Sequence, residues 1–250
     1  MKPQLGAFLA HVKDLRKHAM RAALWWLLAS GICCGFMGPL IDYLQQPYRS
    51  LPFHKEGASL ATLGVFEVMA VNFKVCFLAG FTLSLPFLLW EVWRFVAPAL
   101  YPHEKRIAKR LLGSGVILFY IGIVFGYFVI IPSIFSSSLG WASRYAQVMI
   151  TYENYFQTLI VMLLVFAVVF EVPVILSMLS LGGFVSSSWF QRQRKFVFLA
   201  SFILGALVSP PDVLSLCLVS LPLYFMVEVS VLIMKKIEKN KKNSQIDSFQ

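Results

Sequence analysis

The sequence predicts an all-α integral membrane protein of six transmembrane helices with both termini in the cytoplasm. Two observations carry this. The chain is 58% hydrophobic with 14% charged residues and a mean hydropathy of +0.73, more apolar surface than a soluble domain of 250 residues can bury. Its Lys and Arg residues also gather in alternate connections between the apolar runs, and such bias marks the cytoplasmic side of a polytopic protein.

Six runs read as spans, at about 20–41, 69–91, 111–135, 155–181, 196–209 and 213–234. The first four reach the ~20 residues that a ~30 Å hydrocarbon core requires. The fifth is shorter, only 14 residues before Pro210-Pro211, or roughly 21 Å of helix. A tight Pro-Pro-Asp connection through Asp212 turns the last two helices into a hairpin. The bilayer or the protein must thin beside so short a span.

Five basic residues lie in the lead (Lys2, Lys13, Arg16, Lys17, Arg21). The connections 92–112 and 182–195 hold five and three, and the tail after 234 holds five. The alternate connections hold only Arg49, Lys55 and Arg144, and Lys74 stands inside the second span. The bias puts both termini inside. No signal peptide is expected, because the first apolar run follows a charged lead and lacks a small-residue cleavage pattern. Residues 1–234 read as one membrane domain and 235–250 as a lysine-rich, disordered cytoplasmic tail. The outer connections 42–68 and 136–154 hold Pro47, Pro52 and Gly57, and Ser136-Ser137-Ser138 and Gly140.

The net charge of +10 would suggest nucleic acid in a soluble protein. Here its placement encodes topology, and no nucleic-acid partner is expected. Cys33, Cys34, Cys76 and Cys217 all fall in apolar runs without zinc-ligand spacing to a histidine, and read as reduced core cysteines. His11, His18, His54 and His103 lie outside the apolar runs and form no metal-binding pair. No phosphate-cradling glycine loop or nucleophile elbow is present. Neither catalysis nor a cofactor or metal is expected.

The most informative residue is Glu171. Between Tyr155 and Leu181 it is the only charged side chain, and the neutral polar ones near the run's middle reduce to Ser177; Gln157, Thr158 and Ser180 stand at its ends. A carboxylate there costs at least ~2–3 kcal/mol against a lipid-facing alternative, so it should face protein or water and is a functional candidate. Pro173, two residues on, removes a backbone donor and frees a carbonyl one turn back. A charge and a kink together suggest a polar recess. One alternative is a proton-coupled small-solute carrier with Glu171 as proton site and Lys74 as counter-ion, but the chain shows neither internal repeats nor two broken helices.

The lead is amphipathic. Leu5, Phe8, Leu9, Val12 and Leu15 recur at helical spacing, with Lys13, Asp14, Arg16 and Lys17 on the other faces. Asp14 either pairs with Lys17 or His18 one turn on or serves recognition. Glu104 follows Pro102 where the third span should begin, a place the helix dipole favours for a carboxylate. The Trp93-Arg94-Phe95-Val96-Ala97-Pro98-Ala99-Leu100-Tyr101-Pro102 run before it makes a rigid, partly apolar platform. A lone acid on such a platform suits capture of a guanidinium.

With Phe170-Glu171-Val172-Pro173 and Ser209-Pro210-Pro211-Asp212-Val213-Leu214-Ser215, these segments resemble the TatC family, the multispanning core of the twin-arginine protein translocase. The resemblance covers about 8–234. It is most specific from Pro86 to Tyr127, with Ala97-Pro98-Ala99-Leu100-Tyr101 and Phe119-Tyr120-Ile121-Gly122, and Pro222-Leu223-Tyr224 and Glu228 also fit. It implies a glove-like six-helix fold and a receptor for twin-arginine signal peptides of folded precursors in a bacterial inner membrane. Single-span TatA- and TatB-type partners, oligomers with TatB and further copies of the chain, and export driven by the proton-motive force are implied as well. Glu104 and Asp14 would bind the arginines, with Phe95, Arg16 and Tyr101 beside them. Glu171, Pro173, Asp212 and Ser215 would form an intramembrane polar and partner site, and Pro47 an outer-loop turn or partner position. The family's His-Leu-x-Glu-Leu-Arg motif reads His11-Val12-Lys13-Asp14-Leu15-Arg16, one methylene shorter at the acid. Leu216 replaces a frequent Gln after Ser215, which makes the last hairpin less polar.

Overall fold

The computed structural model describes residues 2–50, 60–99, 102–145, 149–210 and 212–247. Among them, ten α-helices and no extended strand are found: α1 (Lys2–Gly35), α2 (Met37–Leu44), α3 (Gln46–Arg49), α4 (Glu67–Val96), α5 (Pro102–Phe125), α6 (Ile131–Ala142), α7 (Tyr152–Leu181), α8 (Ser187–Arg192), α9 (Arg194–Val208) and α10 (Val213–Asp247). Four stretches are long and apolar enough to cross a membrane: Glu67–Val96, Lys105–Ala142, Tyr152–Leu181 and Val213–Lys239. A fifth is added if Lys13–Gly35 and Met37–Arg49, which meet at an 83° break, are one span. The 15 residues of α9 make only about 22 Å of helix.

The chain packs as two compact units, Met1–Leu44 with Gly64–Leu112 and Gln45–Leu63 with Gly113–Gln250. In the first, α1 packs along α4. Ser30 and Gly80 mark their closest approach: a Cβ on Gly80 would meet the Ser30 hydroxyl and lie 2.5 Å from its Cα. Only glycine lets the two backbones come so near. The Trp26 indole N–H donates to the Phe77 carbonyl at 2.9 Å, and Trp25 stacks on Phe87 with ring centroids 4.8 Å apart.

In the second unit α7 is the buried centre. Thr151 caps it by accepting from the Asn154 N–H at 3.3 Å, and Gly183, at φ +78°, leads the chain away in the left-handed conformation. Tyr155, Phe156, Leu159 and Phe166 are fully enclosed. Gly122 of α5 lies on the Phe166 carbonyl, where a Cβ would come within 2.6 Å. A two-residue parallel bridge joins Ala61 to Thr151.

Two boundaries differ from the sequence reading. Ser136, Ser137, Ser138 and Gly140 lie within α6 rather than in a connection. The hydroxyls of Ser136 and Ser137 donate to the carbonyls of Ser133 and Ile134, both at 3.1 Å, so the helix satisfies its own polar residues. Between α5 and α6 a π turn, Gly126–Ile130, widens the helix just before Pro132, whose ring would crowd the preceding turn of a regular helix. At the other end, α10 runs on to Asp247, through most of the lysine-rich segment set apart from 235. Ile237 is buried, and Glu238 accepts from the Ser187 N–H at 2.7 Å, from its hydroxyl at 2.5 Å and from Ser180 at 3.3 Å. These contacts hold α10 past residue 234.

Candidate functional site

In the first unit the candidate residues stand on α1 and α4. Asp14 and Arg16 are exposed on α1. One turn beyond Asp14, His18 Nδ1 lies 2.6 Å from Glu91 Oε2. Glu91 is 5% exposed, a carboxylate taken out of water and held by one close partner, with Arg94 loosely placed 3.9 Å from its other oxygen. One turn after Glu91, Phe95 sets its ring edgewise against His18, centroids 6.3 Å apart. The structure thus gathers His18, Glu91 and Phe95 and places Asp14 a turn away on the same helix as His18. The helix start that carries Glu104 follows Pro102 as expected. Its side chain, and Tyr101 altogether, lie outside the described residues.

Glu91 was not singled out from the sequence, and His18, read there as a possible partner of Asp14, pairs with Glu91 instead. The available signal was spacing. Glu91 is an acid at the end of an apolar run, four residues before Phe95, and therefore on the same helix face.

In the second unit Glu171 stands on α7 against α5. A Cβ on Gly115 would lie 3.0 Å from its Oε2 and 3.4 Å from its Oε1. Oε1 is buried and finds no hydrogen-bond partner among the described residues, and the same is true of the Ser177 hydroxyl six residues on. Pro173 is buried within the helix and denies the Val169 carbonyl its usual donor. Residues 169–177 therefore carry an unmet carboxylate oxygen and an unmet hydroxyl, with a carbonyl that lacks its usual helical donor, in one stretch of an apolar helix, which is chemically a receptive polar spot.

Asp212 has a structural task. Its Oδ2 accepts from the Ser215 N–H at 2.8 Å, capping α10, and Ser138 Oγ lies 3.5 Å from Oδ1. Asp212 and Ser138, together with Trp141, Val213 and Leu214, line a recess of about 610 Å³. The Ser215 hydroxyl is buried without a partner among the described residues. Pro47 is buried in the first turn of α3, where Ser50 Oγ donates to its carbonyl at 2.9 Å. Glu228 accepts from Arg194 at 2.9 Å and from the Tyr224 hydroxyl at 2.8 Å, tying α9 to α10. No cluster of three metal-ligating side chains occurs among the described residues.

The arrangement is one of binding surfaces rather than of reacting groups: acids beside aromatic and basic side chains in one unit, and unmet polar atoms inside an apolar helix in the other. Comparison with known proteins agrees. The family model for Sec-independent protein translocase protein (TatC) matches residues 10–222. The Sec-independent protein translocase protein TatC of Azotobacter chroococcum mcd 1 is 30% identical over 239 residues, covering 96% of this chain and 93% of its own. That of Escherichia coli (strain K12) is 31% identical over 224 residues, covering 89% and 86%. A crystal structure of the twin-arginine translocase receptor TatC in DDM matches with a TM-score of 0.79 at 28% identity, over 89% of this chain and 98% of that one.

Proposed function

We propose, for a chain that belongs to the TatC family and is the core subunit of a twin-arginine protein translocase, that Glu104 and Asp14 receive the paired arginines of a signal peptide. The chain is a translocase component of the bacterial inner membrane and not an enzyme; the solute-carrier alternative falls with that membership. Phe95, Arg16 and Tyr101 complete the proposed peptide site.

The single observation that carries this reading is the grouping of Phe95 with the His18–Glu91 pair, a turn from exposed Asp14. It supports a rigid, partly apolar surface bearing acid among basic residues. Guanidinium forks onto carboxylate through two hydrogen bonds, which lysine cannot reproduce. Each charge-assisted contact contributes about 1.5–3 kcal/mol when partly desolvated. The surrounding Lys and Arg repel cationic peptides in general, so discrimination comes from local acid within a positive field.

Residues 1–234 would form one membrane domain of six spans, the short α9 being the fifth, with both termini cytoplasmic as the basic residues indicate. The later step would use the polar spot around Glu171 and Pro173 and the hairpin at Asp212 and Ser215. There a single-span TatA- or TatB-type helix would supply the missing hydrogen bonds. Assembly with TatB and with further copies of the chain, and export driven by the proton-motive force, belong to the same reading, as does a partner-facing or turn role for Pro47.

The test is a binding titration with a twin-arginine peptide and its twin-lysine variant. Glu104→Ala should weaken the arginine peptide about ten-fold or more and the lysine peptide far less. Equal losses would reduce Glu104 to a helix-stabilising acid.

A further inference from the structure

We propose that Cys34 and Cys76 form a reversible disulfide between α1 and α4, so that this helix pair carries a site of thiol oxidation. The register of the two helices places them opposite each other. Contacts run antiparallel: His18 meets Glu91, Trp25 meets Phe87, and Ser30 meets Gly80. One turn forward from Ser30 is Cys34, and one turn back from Gly80 is Cys76. The helices cross most closely at Ser30 and Gly80, where Cβ and backbone would collide. A disulfide needs Cα atoms about 4.4–6.8 Å apart, a spacing that a crossing this tight brings within reach in the adjoining turn.

Exposure gives the two sulfurs different parts. Cys34 is partly exposed and Cys76 fully buried. The oxidant belongs to the class of small or protein disulfides, R–S–S–R. Cys34 attacks one of its sulfurs, a mixed disulfide forms, and the first R–SH leaves with a proton. Cys76, behind it, then attacks the Cys34 sulfur and releases the second R–SH. Two cysteine thiols lose two protons and two electrons, and one R–S–S–R becomes two R–SH. Half-exposed Cys33 points the alternative, since it adjoins Cys34 in sequence. It lies a residue out of register with Cys76.

Cys34 lies in the outer half of the first span, about 20–41, and Cys76 in the outer half of the second, about 69–91. On the topology proposed above, and resting on it, that half of the membrane adjoins its oxidising side, where disulfides persist.

The experiment uses the full chain. Purified protein is treated with oxidised glutathione, free thiols are blocked with N-ethylmaleimide, disulfides are reduced, and the released thiols are labelled with a polyethylene-glycol maleimide. The double variant Cys33→Ala/Cys217→Ala should gain two labels per chain after oxidation and none without it. In the unsubstituted chain, peptide mass spectrometry should find Cys34 linked to Cys76. Introducing Cys76→Ser should leave Cys34 free. A Cys33–Cys34 link, no link, or a Cys34 blocked equally in Cys76→Ser would overturn the proposal. The same treatment applied only to the outer face of cells tests the topology separately. A link that forms in purified protein but not there upholds the thiol pair and sinks the orientation.

Discussion

Gly115 makes the place in which Glu171 stands: a Cβ on Gly115 would lie 3.0 Å from Oε2 and 3.4 Å from Oε1. An acid in an apolar helix needs a neighbour that yields space, and α5 offers a glycine there. Because Oε1 finds no partner among the described residues, the carboxylate does not lock the helices together. Removing it should therefore leave folding intact.

Glu171→Leu should fold and bind precursor like the parent, while export of a folded reporter falls about ten-fold or more. Glu171→Gln, of the same size and able to hydrogen-bond, should keep most of the export. The measurements are precursor binding to isolated membranes and export in cells, made on the same variants. Normal export by Glu171→Leu would remove the case for a polar site within the bilayer.

Two glycines of α5 should answer differently to alanine. At Gly122 the added Cβ meets the Phe166 carbonyl oxygen at 2.6 Å and the Phe170 Cβ at 3.0 Å. Backbone cannot swing aside as a side chain does, so overpacking should cost about 1–3 kcal/mol. At Gly113 nothing lies within 4 Å, and alanine is the better helix former by up to about 1 kcal/mol. Thermal unfolding in detergent should show Gly122→Ala melting lower than the parent, and Gly113→Ala the same or higher.

Glu91 should prove coupled to His18. Both are largely buried and lie 2.6 Å apart, and a buried acid stripped of its partner loses a charge-assisted hydrogen bond worth about 1.5–3 kcal/mol. A double-mutant cycle with Glu91→Ala and His18→Ala should give a coupling of about 1–3 kcal/mol in unfolding free energy. Glu91→Gln, which can still accept from the imidazole, should lose less. A coupling indistinguishable from zero would make the pair an incidental contact.

Much of the helical plan was legible because an apolar run in a membrane leaves the backbone little choice but to bond within itself. Thus α7, expected over 155–181, occupies Tyr152–Leu181, and α4, expected over 69–91, occupies Glu67–Val96. What escaped depends on partners distant in sequence or on local rescue of polar groups. Ser136 and Ser137 look like loop residues until their hydroxyls are seen bonding back along α6. Lys235 reads as the start of a solvated tail, yet Glu238 is held by Ser187, 51 residues away. Glu171 announced itself by being the one acid in its run, whereas Glu91, at a run's edge, gave no sign that His18 would close on it. The opposition of Cys34 and Cys76 likewise needed the register of two helices, which no spacing within one of them reveals.

Asp14 separates the two roles left open for the amphipathic lead. Its carboxylate is exposed on α1, free to meet a peptide. The neighbour one turn on, His18, already has its Nδ1 engaged by Glu91, which leaves Lys17 as the local counter-charge. An exposed pair of that kind contributes little to stability, so a purely structural role predicts that Asp14 can be changed at small cost. A receptor role predicts otherwise. Asn retains size and one acceptor but loses the charge that a guanidinium requires for a strong two-point contact. Asp14→Asn should therefore weaken a twin-arginine peptide about five-fold or more in a membrane-binding titration, with unfolding unchanged. Asp14→Glu keeps the charge and adds one methylene of reach, so it should bind as well as the parent or better. If Asp14→Asn binds the peptide as the parent does, α1 is an interfacial anchor at this point, and the arginines must be received by other acids.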